Sequence, residues 1–167
     1  MKAENVNIFS FNRELNYKNV ILFTTLLVLP NLLGFVNLPT SIGFKIHFFQ
    51  LGIFIAAMLY GPLGGLFSGA VGSLYSAMIM HNPYIVLFNM LLGFFFGLFV
   101  RKKLNIIIAV WLAFLLEMPI LVLLDHFVVG LPFKFLNMLL VSLFISDTIW
   151  ALVAKYIAKG LEKGLKI

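Results

Sequence analysis

The chain has no cysteine in 167 residues, which excludes a disulfide framework, a thiolate metal site and cysteine redox chemistry. Charge is nearly as scarce. Asp, Glu, Lys and Arg together make up 11% of the sequence, where a soluble domain carries about 25%. Catalytic signatures are missing as well: there is no His-Glu-x-x-His, no Gly-x-Ser-x-Gly, no Walker A phosphate loop and no pair of aspartates on adjacent membrane helices. The chain therefore reads as a non-enzyme, and if it moves a solute actively, another subunit supplies the energy. His47, His81 and His126 fall on separate connections, without the i, i+4 or cysteine-partnered spacing of zinc sites, so neither a metal nor a cofactor is expected. The net charge of +6 does not point to nucleic acid, which needs a basic groove with stacking aromatics on a soluble surface.

What the chain has is hydrophobicity: 62% apolar residues, 19 Phe and a mean hydropathy of +1.08. The lipid bilayer is then its main solvent. A span takes about 20 mainly apolar residues, and punctuation by Pro, Gly, Asn and charge divides the chain into six. They run from Val20 to Val36, Ile46 to Tyr60, Pro62 to Met80, Pro83 to Val100, Leu104 to Leu124, and Pro132 to Ala154. The expected fold is an all-α membrane protein, a compact bundle of six transmembrane helices with short connections. Residues 1–19 are a cytoplasmic leader, 20–160 the single transmembrane domain and 161–167 a basic tail. No small-residue cleavage pattern follows the first apolar run, so no cleaved signal peptide is expected. Ile8, Phe9, Phe11 and Leu15 suit either an interfacial amphipathic segment or a disordered leader.

Within this pattern Gly61, Gly65, Gly69, Ser73 and Ala77 form a four-residue ladder of small side chains, with Gly64, Ser68, Gly72 and Ser76 beside it. Such ladders let membrane helices approach closely. Tyr60-Gly61-Pro62 marks a tight turn, making helices two and three an antiparallel hairpin. Helix two is short and is expected to extend upward, with Lys45 snorkelling to the interface. An even number of spans puts both termini on one side. Ten of the twelve Lys and Arg residues share that side; Lys45 and Lys134 face the other. By the positive-inside rule both termini lie in the cytoplasm of a prokaryotic cell membrane.

Three connections then face outward, and with the neighbouring helix ends they gather Asn31, Asn37, Lys45, His47, Gln50, His81, Asn82, Tyr84, Asn89, Asp125 and His126 near one membrane face. This suits a pocket that opens outward, although loops are polar in any case. Glu117 is the sharpest candidate. It lies roughly 12 Å below the outer end of helix five, before a helix-bending Pro119, and an ionisable group in a span is costly unless partnered. It either binds a polar or cationic part of a substrate, pairs with Lys45, or hydrogen-bonds across a helix interface. Gln50 and Tyr75 suit pocket lining or packing, and Asn89, on the Asn89, Gly93, Gly97 ladder, suits an interhelical hydrogen bond. Asp147 is expected about 20 Å from the outer end, in the cytoplasmic half, bonded to Ser146, Trp150 or Arg101 rather than to an external ligand.

Taken together, Tyr60-Gly61-Pro62-Leu63-Gly64-Gly65 leading to Gly69 and Gly72, Asn89-Met90-Leu91-Leu92-Gly93 with Gly97 before a basic turn, and Asp147 in a final helix with spaced lysines resemble the S components of energy-coupling factor (ECF) transporters. The resemblance implies six helices and high-affinity capture of a vitamin or related micronutrient in an outer pocket gated by the connection between helices one and two, here Asn37, Pro39 and Lys45. It also implies partners: a membrane-embedded T component and two ATPase subunits. Docking in that family uses Ala-x-x-x-Ala in helix one, whereas this chain reads VILFTTLLVLP there, so those residues do not carry over. The nickel and cobalt branch relies on a histidine after the initiator methionine; Lys2 stands here, which favours an organic cargo. Substrate-binding candidates are Glu117, Asn89, Gln50, Tyr75, Lys45, His126, Asn37 and Tyr84. Two other classes remain open: a membrane scaffold of the bacterial shape-determining MreD type, and an uncoupled channel, for which the inner halves of helices two to four supply little polar surface.

Overall fold

The computed structural model describes residues 16–39 and 45–165, with no account of the side chains of residues 37–39, 45 and 165. The leader residues up to Arg13 and the basic residue Lys166 lie outside the described residues. In chain order the elements are α1 (Tyr17–Leu33), β1 (Asn37–Pro39), β2 (Lys45–His47), α2 (Gln50–Gly72), α3 (Leu74–Ile79), α4 (Tyr84–Arg101), α5 (Ile106–Phe127) and α6 (Phe133–Leu165). Four helical runs are long and apolar enough to cross a membrane: Gln50–Ile79, Tyr84–Arg101, Ile106–Phe127 and Phe133–Gly164; Tyr17–Leu33 is a shorter apolar helix. Leu112, Leu115, Leu116 and Leu123 of α5 and Val141, Ile145 and Ile149 of α6 are exposed, a greasy exterior that water would not tolerate on this scale. This is a multi-pass membrane protein.

Where the sequence predicts separate second and third helices, the structure has one element broken at a single residue. Gly61 has φ 77° and ψ −162° inside α2, a conformation open to glycine and strained for any other residue. A straight helix rises 1.5 Å per residue, so residues eight apart lie about 12 Å apart and residues twenty apart about 30 Å. Yet a Cβ on Gly65 would lie 2.9 Å from Ala57 Cβ, and Cβ atoms on Gly52 and Gly72 would both reach Pro30 Cγ, at 2.8 and 2.6 Å. The chain therefore doubles back at Gly61, and Pro62 opens the returning half. This doubled helix is the most buried of the four long runs, with the others and α1 arranged around it.

Helix two does not extend upward. The residues before Gln50 form β2, which pairs antiparallel with β1, Asn37 opposite His47 and Pro39 opposite Lys45. This strand lies against α6: the His47 N–H donates to Ser146 Oγ at 3.4 Å, and the rings of Phe48 and Trp150 stand 4.5 Å apart. The first half of α2, Gln50 to Tyr60, is then only about 16 Å long, half of a hydrocarbon core of about 30 Å. It starts deep in the bundle. Extended backbone at that depth is stable only because protein encloses it.

Close packing at the Gly61 end comes from glycine faces. A Cβ on Gly65 would strike the Gly93 carbonyl, one on Gly69 the Asn89 carbonyl, and one on Gly97 would lie 2.9 Å from Pro62 Cα. α2 and α4 thus meet backbone to backbone. Around this contact Phe54 and Phe96 stack 4.6 Å apart, in a core continued by Leu59, Tyr60, Ala109, Ala113, Ala154 and Ala158. A separate, smaller cluster, Phe88, Leu121 and Leu136, sits toward the other end.

Two side chains repair helix breaks. Pro30 has no N–H to offer the Leu26 carbonyl one turn back, and Ser68 Oγ donates to that carbonyl at 2.7 Å. Between α2 and α3 the chain turns at Ser73, separating the Tyr75 N–H from the Val71 carbonyl it would bond in a continuous helix. Asn31 bridges the gap: its Nδ2 donates to the Val71 carbonyl at 2.7 Å and its Oδ1 accepts from the Tyr75 N–H at 2.8 Å.

Candidate functional site

At the end of the bundle away from Gly61 the helices leave a cavity of about 260 Å³, lined mainly by apolar side chains of the four long helical runs and their connections, among them Phe49, Phe88, Leu92, Leu121, Leu139 and Leu143. Few polar groups enter it, and they are of two kinds. One kind is spoken for. Asp125 Oδ1 accepts from Asn82 Nδ2 at 2.7 Å, Asn82 Oδ1 accepts from the Tyr84 N–H at the start of α4, and the Asp125 carbonyl accepts from the Leu131 N–H. Asp125 therefore ties the end of α5 to the start of α4 and to the turn before α6. Asn89 Nδ2 donates to Ile85 O in its own helix at 2.8 Å, so the expected bond across a helix interface is not made; its side chain reaches the cavity instead.

The other kind is unpartnered. Gln50, Glu117 and Asp147 are 0%, 4% and 2% exposed, and all three line the cavity. Among the described residues no hydrogen-bond partner meets either amide atom of Gln50, Glu117 Oε2 or Asp147 Oδ1. Buried polar groups are normally satisfied, because leaving one bare costs about 1–3 kcal/mol and a charged one more. The two carboxyls are also close enough to interact electrostatically. Three such groups converging on one apolar cavity form a site built to hold something polar.

Asp147 is the residue that sequence reasoning misplaced. Counting helix rise from the outer end of α6 sends it toward the opposite face, and none of the bonds expected there, to Ser146, Trp150 or Arg101, is formed. The count overlooks the depth of α2. Because β2 runs in beside Ser146 and α2 begins below it, the cavity reaches the level of Asp147. The signal was an aspartate in an apolar helix with no cation at helical spacing.

Of the sequence-derived candidates, Gln50, Tyr75, Asn89 and Glu117 are brought together on the cavity wall. Tyr75 stacks on Phe35, ring centres 3.9 Å apart, and a Cβ on Gly34 would lie 3.2 Å from its ring, so the end of α1 and α3 meet at the rim. Tyr84 and His126 are not in the lining. Tyr84 packs against the Phe88, Leu121 and Leu136 cluster. His126 Nδ1 bonds Leu131 O at 2.8 Å and its ring stacks on Phe133 at 3.8 Å, which shapes the turn into α6. Asn37 and Lys45 occupy opposite ends of the β1–β2 ribbon; their side chains, and with them the expected Glu117–Lys45 pair, lie outside the described residues. Among the described residues no three His, Asp or Glu side chains gather as metal ligands.

Fold and cavity together define a helical membrane protein with a partly open, largely apolar chamber. No protein-family model matches the sequence, and no curated protein matches it. A solved structure does: the S component of a bacterial ECF transporter superposes over 90% of this chain and 98% of its own length, with a TM-score of 0.65 and 19% sequence identity. At that identity the likeness is one of fold. The chain has the fold that Tyr60-Gly61-Pro62, the Asn89–Gly97 ladder and the final helix resemble.

Proposed function

We propose that this protein is the substrate-capturing subunit of an ECF-type transporter, taking a small water-soluble micronutrient from outside the cell and delivering it through a T component driven by two ATPases. The observation that carries this reading is the chamber floored by Gln50, Glu117 and Asp147 in a fold shared with an S component. A chamber of about 260 Å³ falls just below the range for ligand pockets, about 300–1,000 Å³, which suits a one- or two-ring molecule. With the two halves of α2 counted as separate passes the reading has six crossings, and the basic Arg101-Lys102-Lys103 turn and the lysines late in α6 support a cytoplasmic side for both termini. The β1–β2 ribbon, whose His47 lines the cavity, is the gate in this reading.

A scaffold of the MreD type needs no such chamber, and bare polar groups in a lipid-embedded core would only weaken it. The test is gentle purification of the full chain followed by native mass spectrometry. A retained small molecule, with co-purifying T component and ATPases, is the expected result. Finding neither, together with unimpaired micronutrient uptake on deletion, overturns the reading.

A further inference from the structure

The proposed capture role leaves the chemistry of the cargo open, and the chamber itself narrows it. We infer that the cargo is a small organic cation, an amine, amidinium or protonated heterocycle, whose positive nitrogen lies between Glu117 and Asp147. This rests on the capture reading and adds a sign of charge to it.

Three observations lead there. Glu117 on α5 and Asp147 on α6 are buried and bare, and both line the same cavity. Two carboxyls held together in an apolar core repel one another once charged, and burial makes each charge expensive unless a counter-charge sits beside it. No Lys or Arg lines the cavity among the described residues, and His47 is the one basic side chain in its lining. Among the described side chains no Lys or Arg supplies the counter-charge, and we assign it to the cargo. Gln50, with both amide atoms bare, offers an acceptor to a further N–H and a donor to a carbonyl or ring nitrogen. An anion, by contrast, would lie against two carboxyls.

A simple metal ion does not fit this set. Two carboxyls and an amide fall short of the six or more oxygens that Ca²⁺ takes, and much of the remaining wall is hydrocarbon. That wall asks for an organic body. Phe49 and Phe88 add ring faces suited to a cation or a flat heterocycle.

The test uses three near-isosteric probes on the full chain in lipid nanodiscs: benzamidinium, benzamide and benzoate, which are positive, neutral and negative at pH 7 and small enough for the chamber. Isothermal titration should show benzamidinium binding at least tenfold more tightly than the other two. Glu117→Gln and Asp147→Asn should each cost benzamidinium at least tenfold and erase its advantage over benzamide. Neither substitution should lower the melting temperature of the ligand-free protein, since each replaces a bare carboxyl with a neutral group of the same shape. Equal or tighter binding of benzamide or benzoate to the wild-type chain, or no binding of benzamidinium, overturns the inference, and this arm needs no variant to fold. Wild-type affinity in both variants overturns it too. Failure here is distinct from failure of the capture role: a retained neutral or anionic molecule in native mass spectrometry removes the cation and leaves the transporter subunit standing.

Discussion

At the Gly61 end of this bundle α2 and α4 touch through bare backbone, with Gly65 against Gly93 and Gly97 against Pro62, and the surrounding core is filled by aromatic and aliphatic side chains. At the cavity end the same helices stand apart around a chamber, and the polar groups of Gln50, Glu117 and Asp147 are left bare inside it. The contrast teaches how a small membrane protein can hold a binding site without a large frame. Glycine ladders bring the backbones together at one end, where there is no room for side chains to give way. The helices diverge toward the other end, where larger side chains line the space between them. Close packing is concentrated in the first region, and the proposed capture of cargo belongs to the second.

That division can be broken most sharply at the ladder. Gly65→Val puts a branched side chain into the Gly93 carbonyl, and overpacking of well-packed cores costs about 1–3 kcal/mol, more where the obstacle is backbone. The expected result is loss of the monodisperse folded peak in size-exclusion chromatography, or a melting temperature many degrees lower. A folded Gly65→Val protein that has lost only cargo retention would show that the two regions are not separate.

Asn31 sits between the regions and sharpens the comparison. Asn31→Leu strands the Val71 carbonyl and the Tyr75 N–H at the α2–α3 break; with each unsatisfied buried group costing about 1–3 kcal/mol and partial reclosure of the helix, about 2 kcal/mol of stability should go. Because the break also aims Tyr75 at the chamber rim, cargo retention should fall as well. Thermal unfolding and native mass spectrometry on the same sample measure both. The smallest effect belongs to His126→Phe, which keeps a ring to stack on Phe133 and loses one bond to Leu131 O. It should cost less than about 1 kcal/mol and leave cargo retention unchanged, since His126 is not in the lining.

Much of the frame was legible in the chain. Hydropathy and punctuation predict Pro83 to Val100 for α4, observed at Tyr84–Arg101, and Leu104 to Leu124 for α5, observed at Ile106–Phe127, because lipid demands long apolar runs and Pro, Asn and charge end them. α6 runs on to Leu165, past the predicted end at Ala154. There the hydrophobic signal fades into spaced lysines, but the helix period continues. Gln50, Tyr75, Asn89 and Glu117 were found from the cost of polar groups in spans, while His126 and Tyr84, singled out by nearness to one face, turn out to serve the turn into α6 and a packing cluster.

The sequence by itself determined that this protein lives in lipid, where its helices lie along the chain, that glycines at four-residue spacing make a close contact, and that a glutamate in α5 requires a partner. These follow from local chemistry: apolar length, backbone freedom at Gly61 and the price of burying a polar group. Only the tertiary structure decided which groups meet. Asp147 joins Glu117 on the cavity wall because a short strand carries the start of α2 deep beside α6, and Asp125, though it lines the same cavity, is already bonded by Asn82. Depth and distance between helices depend on how the elements tilt and enter the bundle, and helix rise along one element does not contain that.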